Sequence, residues 1–334
     1  MKKIMPGLLA SIAIAIVATF LNSMVHIIGA SVFALLAGMA INFFIKDMGP
    51  LKPGVTFSSK KLLKVAIVLL GTSLSISQII HVGKYSLVVM VFTLAAAFGF
   101  GYLFGKLFKM DWKLSSLISA GTGICGGTAV ATLSQVIDAK DSDVAYAISA
   151  TFIFDVIMVI IFPIMGAAIG MSDMAFGLWA GTAVNDTSSV VAAAYAYSDA
   201  AGEFATIVKL TRTLSIIPVV LAFSYLNERL KMRQNTTETV EHKKVNIKKI
   251  FPWFILLFLA AALINSAGLI PAQLGSALSQ ISKFLMVIAL AAIGLKTDIR
   301  DVTKSGFLPM LHGFIISAIV VVVALVVQIF LGQI

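Results

Sequence analysis

Apolar residues in this chain fall in long unbroken runs, neither alternating nor confined to one helical stripe. The runs cover 6–21, 27–45, 62–80, 85–105, 114–136, 144–169, 175–198, 204–226, 250–269, 277–295 and 307–331, separated by short polar stretches. A bilayer core is spanned by about 20 consecutive apolar residues in a helix. Lipid offers no partner to backbone N–H and C=O groups, so such segments satisfy them internally as helices. The pattern therefore predicts an all-α polytopic membrane protein with about eleven membrane segments. The first run follows Lys2 and Lys3, as a signal peptide would. No small-residue cleavage site follows it and further runs begin at once, so it reads as an uncleaved first segment.

Composition agrees. Of the 334 residues 59% are hydrophobic and only 12% charged, and the mean hydropathy is +1.02. Soluble domains carry about 25% charged residues. The single cysteine excludes a disulfide framework and any multi-thiolate metal site. The net charge of +10, from 25 Lys and Arg against 15 Asp and Glu, is the feature that needs explaining. The cations sort onto alternate loops: Lys2 and Lys3; Lys46, Lys52, Lys60, Lys61 and Lys64; Lys106, Lys109 and Lys113; Arg229, Lys231, Arg233, Lys243, Lys244, Lys248 and Lys249; and Lys296, Arg300 and Lys304. The opposite loops carry Asp138, Asp141, Asp143, Asp199 and Glu203. By the positive-inside rule the N-terminus is expected in the cytoplasm and the C-terminus outside. The excess charge then encodes orientation and not affinity for nucleic acid.

Two internal repeats stand out. When 180–190 is laid on 120–130, Ala180, Gly181 and Thr182 meet Ala120, Gly121 and Thr122, and Val190 meets Val130. Both stretches are small, polar interruptions of an apolar run. A weaker match lays 65–84 on 285–304: Ile67, Val68 and Leu70 meet Val287, Ile288 and Leu290, and Lys84 meets Lys304. Those two segments would run in opposite directions, the arrangement of inverted-repeat secondary transporters. The expected organisation is scaffold helices in 1–111, a core in 112–226, a polar cytoplasmic linker in 227–249, and further scaffold helices in 250–334 that invert about 27–105. The two interrupted segments either span or turn back as re-entrant hairpins, leaving about nine full spans.

The interruptions carry the candidate chemistry. Non-helical backbone at membrane depth is tolerated only where protein or a water-filled cavity satisfies it. Gly121, Gly123, Gly126 and Gly127 permit such a break. A new helix is expected after each, capped by Thr128 in the first and by Asn185, Asp186, Thr187 or Ser188 in the second. Helix N-termini at membrane depth suit an anion. Small residues also serve tight helix packing, the simpler alternative.

Four of the charges inside the apolar runs stand out: Asp155, Asp186, Lys209 and Arg212. A charge at the bilayer centre costs roughly 2.5–3.5 kcal/mol on insertion scales, so each should be paired or face a cavity. They sum to zero, which fits a salt-bridged bundle core or a substrate and coupling site. Lys209 and Arg212 suit an anion, with the planar guanidinium offering bidentate contacts, unless Lys209 sits close enough to the interface to snorkel. Asp155 and Asp186 suit proton or cation uptake. Cys125 reads more simply as a small buried hydrophobe, His26 and His81 as interface loops, His312 as structural, and Lys296, Thr297 and Asp298 as a capped helix end. No phosphate-binding loop, metal-ligand helix or hydrolase elbow is present, so no enzyme, cofactor or metal is expected.

The blocks 121–130, 181–190 and 292–298 resemble the signature blocks of the YeiH-type bacterial membrane proteins, a family labelled as sulfate exporters, and the resemblance covers nearly the whole chain. It implies a bacterial plasma-membrane protein of the cation–proton antiporter and anion transporter superfamily, with inverted repeats, broken helices and often a moving core. The expected function is alternating-access transport of a small anion such as sulfate, sulfite or a sulfonate. Its expected site comprises Gly123, Cys125, Gly126, Gly127, Thr128, Asn185, Asp186, Thr187, Ser188, Ser189, Lys209 and Arg212, with Asp155 and Asp186 for coupling to a proton or sodium. A homodimer is compatible with this. The alternatives are a sodium/proton antiporter using Asp155 and Asp186, and, from another class, an ion channel or membrane sensor.

Overall fold

The computed structural model describes residues 3–24, 29–45, 48–233, 251–297 and 306–334, which contain helices and no strand. In chain order the helices are α1 (Met5–Met24), α2 (Ala30–Phe44), α3 (Lys52–Phe57), α4 (Leu63–Leu70), α5 (Ile76–Leu107), α6 (Trp112–Ala120), α7 (Gly127–Val136), α8 (Asp141–Ile169), α9 (Asp173–Ala183), α10 (Thr187–Tyr197), α11 (Asp199–Leu214), α12 (Ile216–Arg233), α13 (Trp253–Ser266), α14 (Ala272–Lys296) and α15 (Phe307–Phe330). Among the described residues six helical stretches are long and apolar enough to cross a membrane, and α2 and α13 are shorter apolar helices. π-helical turns, Ser58–Leu62 and Gly121–Cys125, join α3 to α4 and end α6.

The helices pack as two groups. α1, α2, α3, α4 and α14 pack on one another, with α13 against α4, and form a panel. α5 to α12 and α15 form a core around the interrupted segments. Thus α5 and α15, which the sequence reading assigned to the scaffold, pack directly on core helices. Glycine sets the panel's closest crossings. A Cβ on Gly38 would lie 2.4 Å from the Ala291 carbonyl oxygen, and one on Gly294 would lie 2.1 Å from that of Leu35. The backbones of α2 and α14 therefore touch, which only small residues allow.

One boundary differs from the sequence expectation. The break expected between residues 80 and 85 lies instead at Leu74 and Ser75. Ser75 and Gln78 form a capping box, with Ser75 Oγ accepting the Gln78 N–H at 3.1 Å and Gln78 Oε1 accepting the Ser75 N–H at 2.9 Å. That reciprocal cap starts the helix early, so His81 and Lys84 lie within α5 and not in a loop. Similarly, the expected linker from 227 begins as helix, since α12 runs to Arg233. The rest of it, together with His26 and Asp298, lies outside the described residues.

Both interrupted segments turn back on themselves. In the first, Lys113 Nζ donates to the Asp138 carbonyl at 2.8 Å, which ties the start of α6 to the end of α7. In the second, the Tyr197 hydroxyl donates to the Met171 carbonyl, and Ser198 Oγ donates to Asp173 Oδ1 at 2.6 Å. The Phe176 and Tyr197 rings stack at 4.0 Å. Each segment is therefore a helical hairpin whose two ends share one side. The 29-residue α8 separates their mouths, so they open at opposite ends of the core. This corrects one charge assignment. Asp138, Asp141 and Asp143 stand at the same end of the bundle as Lys113, not opposite it, because the first segment folds back on itself.

Candidate functional site

The tips of the two hairpins meet inside the core. The first is the π turn Gly121–Cys125 followed by Gly126, whose φ of 61° and ψ of −136° are open to glycine alone. Gly126 N–H donates back to the Gly121 carbonyl at 2.9 Å. Gly126, and not the expected Thr128, is the N-cap of α7, with no side-chain cap. The second tip is Val184, Asn185 and Asp186, and Asp186 is the N-cap of α10. Its Oδ2 accepts the Ser188 N–H at 2.9 Å and the Ser188 hydroxyl. The tips touch where Gly126 faces Asp186. A Cβ on Gly126 would lie 2.9 Å from Asp186 Oδ1 and 3.0 Å from its Cβ.

Charged side chains from α8 and α11 hold these tips. Lys209 is fully buried, so it does not snorkel. It donates to the carbonyls of Ile124 at 2.9 Å, Val184 at 3.1 Å and Asn185. Three carbonyls use all three ammonium N–H groups. Arg212, equally buried, donates through Nε to Gly123 O at 2.6 Å, through Nη1 to Val184 O at 3.0 Å, and through Nη2 to Thr122 O. These oxygens are the negative ends of α6 and α9, so both cations sit where the half-helix dipoles call for positive charge. Asp155 makes the complementary contact: its Oδ1 takes the Asn185 N–H at 2.8 Å and its Oδ2 the Asp186 N–H at 3.0 Å. Asp155, Lys209 and Arg212 thus all bond to the backbone of the tips, and Asp186 stands on the second tip itself. Among the described residues no direct ion pair joins them.

The remaining site residues sort by exposure. Gly123, Cys125, Asn185, Ser188 and Ser189 are buried, whereas Thr128 is exposed and Gly127, Asp186 and Thr187 are partly exposed. The accessible part of the site is thus the N-terminal face of α7 and α10. Three buried hydroxyl residues beside it had not been singled out by sequence. Asn185 Nδ2 donates to the Thr151 carbonyl and to Ser317 Oγ, both at 3.3 Å, and Ser317 Oγ lies 3.5 Å from Thr122 Oγ1. Ser317 reaches the tips from α15, far along the chain, with only a hydroxyl in an apolar run as its signal. His312 is buried on the same helix, with Nε2 3.0 Å from the Gly101 carbonyl oxygen and 3.3 Å from Ser115 Oγ.

Long apolar helices, glycine-bound crossings and two internal hairpins define a multi-pass helical membrane protein. Residues 6–313 match the profile of the family described as Conserved hypothetical protein 698. A UPF0324 membrane protein of Clostridium tetani is 60% identical over 341 residues, covering 100% of this chain and 99% of that relative. A UPF0324 membrane protein of Streptococcus pneumoniae is 43% identical over 334 residues, covering 98% and 97%. The chain belongs to this family of membrane proteins, which is the YeiH-type family its motifs resemble.

Proposed function

We propose that this protein is a secondary transporter of a small anion in the bacterial plasma membrane, with its N-terminus cytoplasmic. Two hairpins that meet tip to tip from opposite ends of the core give a ligand at the tips a route to each side. That single feature carries the proposal. The anion docks on the accessible N-terminal face of α7 and α10, at Gly127, Thr128 and Thr187, where the positive dipole ends of the two helices favour negative charge. Lys209 and Arg212 serve the anion indirectly by fixing the tips, because all three Lys209 donors and three of the five on Arg212 are taken by carbonyls. Asp186, partly exposed between the two N-termini, is the proton or cation coupling group, with Asp155 buried behind it. Alternating access follows from the core sliding against the panel, along a seam that contains an apolar cluster of Val32, Leu35, Met39, Val159, Ala192 and Leu290. Nine crossings and two hairpins, with an inverted relation between early and late panel segments, describe the architecture in the membrane.

Flux assays in proteoliposomes, with sulfate, sulfite and sulfonates as counter-substrates, test this. Saturable exchange that Asp186→Asn abolishes is the expected result, and unchanged exchange in that variant overturns the site. One observation favours a second reading. The position between the two helix N-termini is already occupied by the Asp186 carboxylate, as a sodium/proton antiporter would need. Sodium-driven pH change in vesicles without any anion substrate would select that alternative.

A further inference from the structure

Lys283 is a charge that neither the site nor the loop pattern accounts for. It stands near the middle of the 25-residue α14, on the panel. Its ammonium lies 2.7 Å from Asp199 Oδ2, at the start of core helix α11, and its side chain is 32% exposed against 69% for Asp199. Glu203, one turn further along α11, is partly buried and within electrostatic reach of the same lysine. Asp199 and Glu203 are spaced as neighbours on one helix face. The ion pair therefore bridges panel and core at the mouth of the second hairpin, with a second acid next in line.

The seam fixes what this contact reports. Going back along α10 from the Asp199 turn, Ala196 abuts Gly29 at the start of α2, where a Cβ added to the glycine would lie only 2.8 Å from Ala196 Cα. Ala192 follows in the cluster that contains Leu290 of α14. Ala192 lies about 10 Å from the Asp199 end of α10, and Leu290 about 10 Å from Lys283, at roughly 1.5 Å per residue. α10 and α14 thus run antiparallel in register. Continued to its start, the 11-residue α10 brings Asp186 level with the last turn of α14, which ends at Lys296. The core sits toward the Lys296 end of the panel, and the mouth of its second hairpin lies level with the panel's middle.

We propose that Lys283 is the panel's catch for the core: it holds the core in this position through Asp199 and passes to Glu203 as the core slides toward the other end. A slide in that direction carries residues deeper in the core past Lys283, and Glu203 arrives first, after about one helical turn of 5.4 Å. One-turn steps of this kind are a known form of discrete switching. The proposal rests on the sliding-core reading given above.

The test is the side from which a cysteine in a Thr128→Cys variant is labelled, in sealed vesicles of both orientations, using membrane-impermeant thiol reagents. Asp199→Asn and Glu203→Gln are compared in that background, each leaving Lys283 one of its two acids. They are expected to shift the ratio of labelling from the two sides in opposite directions, each on the order of 5-fold, the effect of an ion pair at the upper end of the exposed range. In a Lys283→Met background both shifts should vanish, which a purely structural role for either acid would not produce. Variants that leave the ratio unchanged, or that shift it in the same direction, overturn the catch. A separate pair, Asp199→Cys with Lys283→Cys, is cross-linked across the seam. Cross-linking that confines labelling to one side, combined with inert charge variants, rejects the catch and leaves the sliding core standing. Two-sided labelling that persists after complete cross-linking rejects both.

Discussion

Asp155 and Lys209 grip the same residue from opposite sides. Asp155 Oδ1 accepts the N–H of Asn185 at 2.8 Å, while Lys209 Nζ donates to its carbonyl. A buried carboxylate and a buried ammonium are thereby connected through one peptide residue with no direct contact. Burying either charge alone would be costly, and each is relieved by the backbone of a helix break that itself lacks partners. The break and the charges are each other's solution, which is why they occur together in an apolar chain.

Removing the ammonium should therefore loosen the tips before it affects anything else. Lys209→Met leaves the carbonyls of Ile124, Val184 and Asn185 without this donor. Val184 keeps the Arg212 donor, so two buried carbonyls lose their partner, and at about 1–3 kcal/mol for each the loss should be about 2 kcal/mol or more. Thermal unfolding of the detergent-solubilised protein measures it, and a midpoint equal to the parent's would show that the tips hold without Lys209.

Arg212→Lys tests whether charge alone suffices. The guanidinium reaches Thr122, Gly123 and Val184 carbonyls with three nitrogens, a span that one ammonium cannot copy. The variant should lose about 2 kcal/mol or more from unpaired carbonyls and should not transport. Full transport by Arg212→Lys would mean that the fork geometry is dispensable.

Gly126→Ala places a methyl group against Asp186 and forces a left-handed φ on a residue with a Cβ. Both effects are unfavourable, the backbone term alone costing of order 1–3 kcal/mol. The tips should separate and the protein should unfold at lower temperature, whereas Gly127→Ala, whose nearest contact would be Ile148 at 3.9 Å, should be far milder. Equal midpoints for the two variants would contradict the close contact of the tips.

Cysteine chemistry distinguishes the two faces of the first tip. Cys125 is 2% exposed and should resist aqueous thiol reagents in the folded protein. A Thr128→Cys variant, on the exposed first turn of α7, should react readily and be protected by a transported anion. Fast modification of Cys125 without denaturant would place the wrong face toward water.

Much of this was legible in one sequence. The apolar runs gave the helices, since in lipid only internally bonded segments are tolerated. The paired Gly-rich and Asn-Asp interruptions marked both tips, and the four isolated charges marked the groups that hold them. Local signals alone decide such features: run length, glycine, a charge where none is cheap. Sequence could not say whether the interrupted segments cross, because loop charges have the same parity either way. Contacts between residues far apart in the chain, Lys113 with Asp138 and Ser198 with Asp173, show that each folds into a hairpin with its ends together. Nor could it tell that Lys209 and Arg212 spend their donors on carbonyls, that Ser317 reaches Asn185, or that Lys283 meets Asp199. A side chain's type states what it can bond, but its partner is set by which helices lie side by side, and packing of apolar surface fixes that without leaving a local mark.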